Sequence, residues 1–222
     1  MKFNIITIFP NIFSSYLKEG MINKALKKDI IKIKTINLRD FSNDKHQTVD
    51  DTPYGGGAGM LLKIEPLYLA LKSLKTKPGL KTKKMILLSA GGEKWTQKKA
   101  LKYSKLKEIT FICGRYEGVD ARIKEFIDEE VSVGDYVLTG GELPTLTIID
   151  SISRLIPGTL GNNESIIEES HSEIGLGEYP QYTRPENFQV GKKNYQVPEI
   201  LLSGNHQKIK EWRKNKMKNI NL

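Results

Sequence analysis

A single cysteine, Cys113, among 222 residues excludes an internal disulfide, and with it the small disulfide-stapled folds. Histidine is almost as scarce. His46, His171 and His206 are too scattered to make a ligand spacing, so no structural metal is expected. No apolar run approaches the roughly 18 residues that span a bilayer, and Met1-Lys2-Phe3-Asn4-Ile5 enters a strand pattern directly rather than a signal peptide. The chain therefore reads as cytoplasmic and without membrane contact. Acidic residues are in deficit, 26 Asp and Glu against 35 Lys and Arg, for a net charge of +9. With 38% hydrophobic and 27% charged residues, disorder is excluded as the main state and a full-sized core is available.

Excess lysine can serve solubility alone, but here the lysines are grouped. Lys72, Lys75, Lys77, Lys81, Lys83 and Lys84 share one stretch, and Lys208, Lys210, Arg213, Lys214, Lys216 and Lys218 lie near the end. Clusters of this kind suit a polyanion.

Residues 2–9 alternate and are β-branched, which predicts a strand, with a helix-like stretch from Pro10 through Leu17. Strands are also expected at 30–36, 85–90 and 109–113, helices at 64–75 and 96–106, and strand plus turn at 131–138. This alternation predicts an α/β fold with a largely parallel sheet. The Gly140-Gly141-Glu142-Leu143-Pro144 turn leads into a helix reaching about Ile156, with a buried face at Leu146, Ile149, Ile152 and Leu155. Residues 39–60 are polar, glycine-rich and too long for an ordinary connection. After Pro157 an irregular acidic segment carries Glu164, Glu168, Glu169, Glu173 and Glu178, and the remainder ends in a basic helix that Asn205 or Ser203 could cap.

Three glycine clusters stand out: Gly55-Gly56-Gly57-Ala58-Gly59, Gly114-Arg115-Tyr116-Glu117-Gly118, and the stretch from Gly134 to Gly141. None has the ending of a nucleotide-binding P-loop or the spacing of a dinucleotide fold. Each could be a turn. The second and third, however, follow predicted strands, where open α/β sheets place ligands and where glycine lets a ligand meet backbone amides. Cys113 reads as a buried core thiol rather than a nucleophile. Asp50-Asp51 reads as a carboxylate pair or as turn residues, and Trp95 and Trp212 as packing anchors or base-stacking platforms.

The strings RDFSNDKHQTVDDTPYGGGAGM, ICGRYEGVDAR, VSVGDYVLTGGELPTLTIIDSISRLIPG, YPQYTRP and LLSGNHQKIKEWR, in that order from Met1 to about Arg213, resemble the bacterial tRNA (guanine-N1)-methyltransferases. That family belongs to the knotted, SPOUT-type methyltransferases. The resemblance implies methyl transfer from S-adenosyl-L-methionine to N1 of the guanosine at position 37, immediately 3′ of the anticodon of tRNA. It also implies a homodimer with active sites at the subunit interface and a deep trefoil knot holding the methyl donor, and it leaves a Mg2+ requirement open. Carried over residue by residue, the donor site comprises Leu87, Leu88, Ser89, Gly114, Tyr116, Glu117, Val133, Gly134, Tyr136, Val137, Leu138, Gly140, Gly141 and Pro144, with Glu117 near the methionine end. Asp50, Lys208 and Arg213 match RNA-binding positions, and Arg154 matches the arginine expected to stabilise charge on guanine O6.

One departure falls on the catalytic base. The family's Glu-Asp-Ser-Phe reads Glu168-Glu169-Ser170-His171 here, which puts Glu169 in the place of aspartate, and one residue is inserted near Glu173-Ile174. A carboxylate is kept, with a reach about one methylene longer. The implied domains are a knotted donor-binding domain at 1–160, an acidic linker at 161–175 and a small basic helical tRNA-binding domain at 176–222. The competing readings are a related knotted RNA methyltransferase acting on another nucleoside, and a catalytically weakened tRNA-binding protein.

Overall fold

The computed structural model of the chain describes residues 1–160 and 178–217. Two compact units divide it, Met1–Gly161 and Asn162–Leu222.

In the first unit, strand β1 (Lys2–Thr7) is followed by a 3-10 turn, a single helical turn α1 (Ser14–Leu17) and helix α2 (Gly20–Lys27). Then come β2 (Lys32–Asn37), a two-residue β3 (Asp50–Asp51) paired antiparallel with β4 (Leu61–Leu62), and α3 (Ile64–Ser73). The long β5 (Lys83–Lys94), α4 (Gln97–Tyr103), β6 (Glu108–Cys113), β7 (Glu129–Ser132) and α5 (Glu142–Ser153) complete it. Five strands form one sheet in the order β2-β1-β6-β5-β7, and every pairing is parallel.

A parallel sheet has to be covered on both faces, and the alternation along β1 shows how. Phe3 and Ile5 pack with Ile22 and Ala25 of α2 and with Ile148, Ile149 and Ile152 of α5. Ile6 and Ile8 face the other way, toward Leu67, Ala70 and Leu71 of α3. The expected buried face of α5 is confirmed at Leu146, Ile149 and Ile152, while Leu155 is half-buried just beyond the helix.

The expected strand at 85–90 proves longer. Leu88 and Glu93 both stand opposite Val131, so residues 89–92 leave the ladder as a bulge before pairing resumes. Gly92 permits the resumption, because a Cβ there would lie 2.5 Å from the Val131 nitrogen. Part of the expected polyanion cluster is committed to structure: Lys83 pairs with Glu108 at 3.4 Å and Lys84 with Asp128 at 3.0 Å. Asp128 also accepts from the backbone N–H of Gly79 and of Met85, at 2.8 and 2.7 Å.

The second unit contains a hairpin of β8 (Asn187–Val190) and β9 (Lys193–Gln196), then α6 (Glu199–Leu202) and α7 (His206–Lys216). An all-helical expectation accounts for α6 and α7 but not for the hairpin. Gly191, at φ +58°, opens its two-residue turn, as turns of this length require. Asn205 caps α7, its side chain accepting from the Lys208 N–H at 3.1 Å.

Candidate active site

The bulge within β5 and the loops that leave the C-terminal ends of β6 and β7 meet. Their meeting is fixed by backbone: the Gly141 N–H donates to the Gly114 carbonyl at 2.9 Å, and Arg115 and Gly140 form an antiparallel bridge. Between the loops lies a cavity of about 420 Å³, within the range of small-molecule sites. Thirteen of the fourteen residues expected to hold the donor line it, Gly134 being the exception. Gly134 sits behind the wall. Ser132 Oγ bonds both its carbonyl and its N–H, and a Cβ on Gly134 would come within 2.4 Å of the Tyr136 ring.

The close approach depends on missing side chains. A Cβ on Gly141 would stand 2.7 Å from Cys113 Cα and 3.0 Å from Leu88 Cβ, and one on Gly140 would strike Arg115 Nε at 2.2 Å. The wall is therefore built from peptide groups, which suit an adenine edge needing one donor and one acceptor. Tyr116, at φ +59°, holds a conformation that L residues rarely adopt.

The first glycine cluster closes on the same place. Gly59 lies so near Glu117 that a Cβ would be 2.4 Å from its Cγ, and the Glu117 N–H donates to the Met60 carbonyl at 3.0 Å. Asp50 pairs with Leu62 across the β3–β4 hairpin, and Leu62 in turn bridges Val119 at the cavity wall. The long polar segment thus brings Asp50 close to the cavity mouth without lining it.

Several wall residues were not singled out by the sequence reading, among them Arg115, Lys124 and Glu130. Behind the wall is Glu142, which is 1% exposed. It accepts from Arg115 Nε at 2.9 Å and from the Thr7 hydroxyl at 2.8 Å. Arg115 and Glu142 both stand inside the quoted motifs, GRYEG and GGELP, but nothing in their spacing announces the ion pair. Cys113 is a buried core thiol: burial and the Glu142 charge push its pKa far up, and its sulfur contacts Thr145 Oγ1 at 3.3 Å. That is not a nucleophile's setting.

Arg154 is elsewhere. It is the C-cap residue of α5, whose other end begins at Glu142 beside the cavity. Twelve helical residues put the two ends about 18 Å apart, so Arg154 does not line the cavity of its own chain. Glu169 and the rest of the acidic linker, like Lys218, lie outside the described residues. Lys208 and Arg213 are exposed on α7, with the Arg213 guanidinium over the Tyr179 ring at 5.0 Å and Trp212 packed near Tyr182. Among the described residues no group of three or more His, Cys, Asp and Glu side chains could hold a metal ion. No helix among them is long and apolar enough to cross a membrane.

The family model described as tRNA (guanine-1)-methyltransferase TrmD matches residues 1–221. Curated relatives named tRNA (guanine-N(1)-)-methyltransferase are similar over most of their length. The protein of Lactobacillus johnsonii is 52% identical over 96% of this chain and 84% of its own. That of Clostridium tetani is 50% identical over 97% and 86%, and that of Clostridioides difficile 50% identical over 96% and 91%. With a parallel α/β sheet and a glycine-built cavity at its strand ends, the chain belongs to the tRNA (guanine-1)-methyltransferase family.

Proposed function

We propose that the chain methylates N1 of the guanosine at tRNA position 37, drawing the methyl group from S-adenosyl-L-methionine in the cavity, as a cytoplasmic homodimer. The observation that carries this reading is the cavity: a glycine-bearing bulge and two glycine-bearing loops on parallel strands, gathered in a chain of this family. The test is to incubate the protein with labelled donor and tRNA transcripts and to map the methylated base by nuclease digestion and mass spectrometry. Transcripts with guanine at the target and in the preceding anticodon position are expected to be modified. Equal methylation with adenine at the target would overturn the guanine-N1 assignment.

The residues fit the donor. Peptide groups of Gly114, Leu138, Gly140 and Gly141 suit adenine and ribose, and Glu117 brings a carboxylate to the wall. When bound, S-adenosyl-L-methionine supplies an electrophilic methyl group on a sulfonium. The chain's own residues must do the rest. Guanine N1 is a poor nucleophile while protonated, so a base must take its proton as a donor steadies the charge that gathers on O6. Glu169 is assigned the first task and Arg154 the second. We also infer the trefoil knot, which fits the close passage of Gly141 between Leu88 and Cys113. Residues 1–160 form the donor domain in this reading, 161–175 the linker and 176–222 the tRNA-binding domain.

The helix length supports a shared active site. Arg154 caps the far end of a helix about 18 Å long whose first turn lies at the cavity, which supports its serving the cavity of a second copy. The apolar side chains of Phe9, Ile12, Tyr16 and Leu143 are exposed on the 3-10 turn, α1 and α5, and a second copy would cover them. Tyr16 also donates to Asp150 of α5, and burial together with that bond raises its pKa to about 12. Arg154→Ala is expected to lower the single-turnover rate by about a hundredfold and leave donor affinity nearly unchanged. Mixing Arg154→Ala chains with Gly141→Ala chains is expected to restore activity, because a mixed dimer holds one intact cavity served by one intact arginine. Continued inactivity of verified mixed dimers would place Arg154 in service of its own chain.

Binding of tRNA is expected to weaken steeply with salt, since α7 exposes Lys208, Lys210, Arg213, Lys214 and Lys216 against one acid, Glu211. Each phosphate contact contributes about 0.7 to 0.9 to the slope of log affinity against log salt. Lys208→Ala with Arg213→Ala should reduce that slope accordingly. An unchanged slope would make α7 a solvated face.

A further inference from the structure

Glu142 is a buried carboxylate that does not line the cavity, yet it holds the wall together from behind. Two segments distant in sequence converge on it. The Thr7 hydroxyl, at the end of β1, donates to one oxygen at 2.8 Å and itself accepts from the Phe9 N–H at 2.9 Å. Arg115 Nε, from the loop after β6, donates to the other oxygen at 2.9 Å. The same guanidinium donates to the Thr139 carbonyl at 3.2 Å and lies over the Phe9 ring at 4.8 Å. The absent side chain of Gly140 leaves the space that Arg115 fills. Arg115, Thr139 and Gly140 all line the cavity, whereas Glu142 and Thr7 do not.

The charges at the wall add a second role. Among the described residues, four ionisable side chains other than tyrosine line the cavity: Arg115, Glu117, Lys124 and Glu130. Lys124 and Glu130 pair with each other at 2.6 Å. The four cancel, two positive and two negative. Glu142, just behind Arg115, makes the surroundings net acidic. Without it an uncompensated guanidinium would stand at the wall of a site that has to accept a sulfonium cation, in a setting where charge is weakly screened.

We propose that Glu142 is a positioning residue that neutralises Arg115, and so sets the preference of the cavity for the cationic methyl donor over its uncharged thioether product. The proposal rests on the donor reading given above. Glu142→Gln keeps the size of the side chain and one acceptor, but removes the charge. It weakens S-adenosyl-L-methionine about tenfold more than S-adenosyl-L-homocysteine. Adding Arg115→Gln restores the ratio toward that of the parent, because the unpaired cation is gone. Thr7→Val, which removes two hydrogen bonds and no charge, leaves the ratio unchanged.

The experiment is isothermal titration of the full-length parent and variants with each of the two ligands, at one salt concentration. A change in the affinity ratio with Glu142→Gln, reversed in the double variant, supports the proposal. Equal weakening of both ligands overturns it and makes Glu142 a purely structural group. If Glu142→Gln does not fold, Arg115→Gln alone decides: it must shift the ratio toward the cationic ligand, and no shift overturns the proposal. A parent that binds neither ligand overturns the donor reading itself, and the proposal with it.

Discussion

Gly141→Ala is expected to abolish donor binding while much of the sheet survives. The residue is buried and its backbone is ordinary, so conformational strain is not the reason. The reason is contact. The added methyl would meet Cys113 Cα at 2.7 Å, Leu88 Cβ at 3.0 Å and the Gly114 nitrogen at 3.1 Å. None of these atoms can swing aside as the end of a long side chain could. Cys113 and Leu88 are held in register on neighbouring strands by the β5–β6 ladder, where they stand directly opposite each other. The turn at 139–142 must therefore retreat, breaking the Gly141 bond to the Gly114 carbonyl and opening the cavity on the side where Leu138 and Gly140 complete it. Overpacking of this kind costs roughly 1 to 3 kcal/mol of stability. The effect on the ligand should be far larger, since both facing loops shift. Titration with S-adenosyl-L-homocysteine, alongside thermal unfolding, separates the two. Retained affinity in a folded Gly141→Ala protein would show that the ligand site is not between these loops. Gly134→Ala is the contrast. Its methyl would press on the Tyr136 ring, a side chain that is exposed and can rotate away, so a milder loss is expected.

The parallel sheet was legible because its strands are short, β-branched and separated by helical periods. The second and third glycine clusters could be read as candidate ligand loops because they follow predicted strands. What was not legible depended on distance in space. The extension of β5 beyond Ala90 begins with Gly91-Gly92, which have no strand propensity of their own, and it exists because Glu93 and Lys94 find Val131 and Ser132 on β7. The Arg115–Glu142 pair joins residues 27 positions apart, and no local pattern predicts which arginine meets which carboxylate. The β8–β9 hairpin did leave a signal, the alternation of Phe188 and Val190 with Tyr195 about Gly191-Lys192, which a purely helical reading of this unit passes over. Position along a helix also matters in a way that motif matching hides. Arg154 and Gly141 stand in one continuous motif, yet α5 carries them to opposite ends. A motif that looks like one site in sequence supplies two different places.

The largest effect on chemistry is expected at Glu169, the proposed base, which the resemblance sets in the place of an aspartate one methylene shorter. The position lies outside the described residues. Guanine N1 must lose its proton as the methyl group arrives, and a carboxylate can take it where an amide cannot. Glu169→Gln preserves size and hydrogen bonding, so tRNA and donor should still bind while methyl transfer falls by roughly a hundred- to ten-thousandfold. Glu169→Asp keeps the acceptor and shortens the reach. It should retain measurable activity, and the size of the change measures how the linker has adjusted to the longer side chain, since misplacing a reacting group by about 1 Å costs roughly a hundredfold. The parent's rate should rise with pH as the carboxylate gives up its proton, then level off once guanine N1 is itself deprotonated and needs no base. In Glu169→Gln the first rise should be missing, leaving only the dependence on N1. Glu168 and Glu173 are the nearby carboxylates that could stand in for it, and neither Glu168→Gln nor Glu173→Gln should matter comparably. Full single-turnover activity in Glu169→Gln, with loss in one of those two instead, would move the base to that residue and shift the register of the linker by the same number of positions.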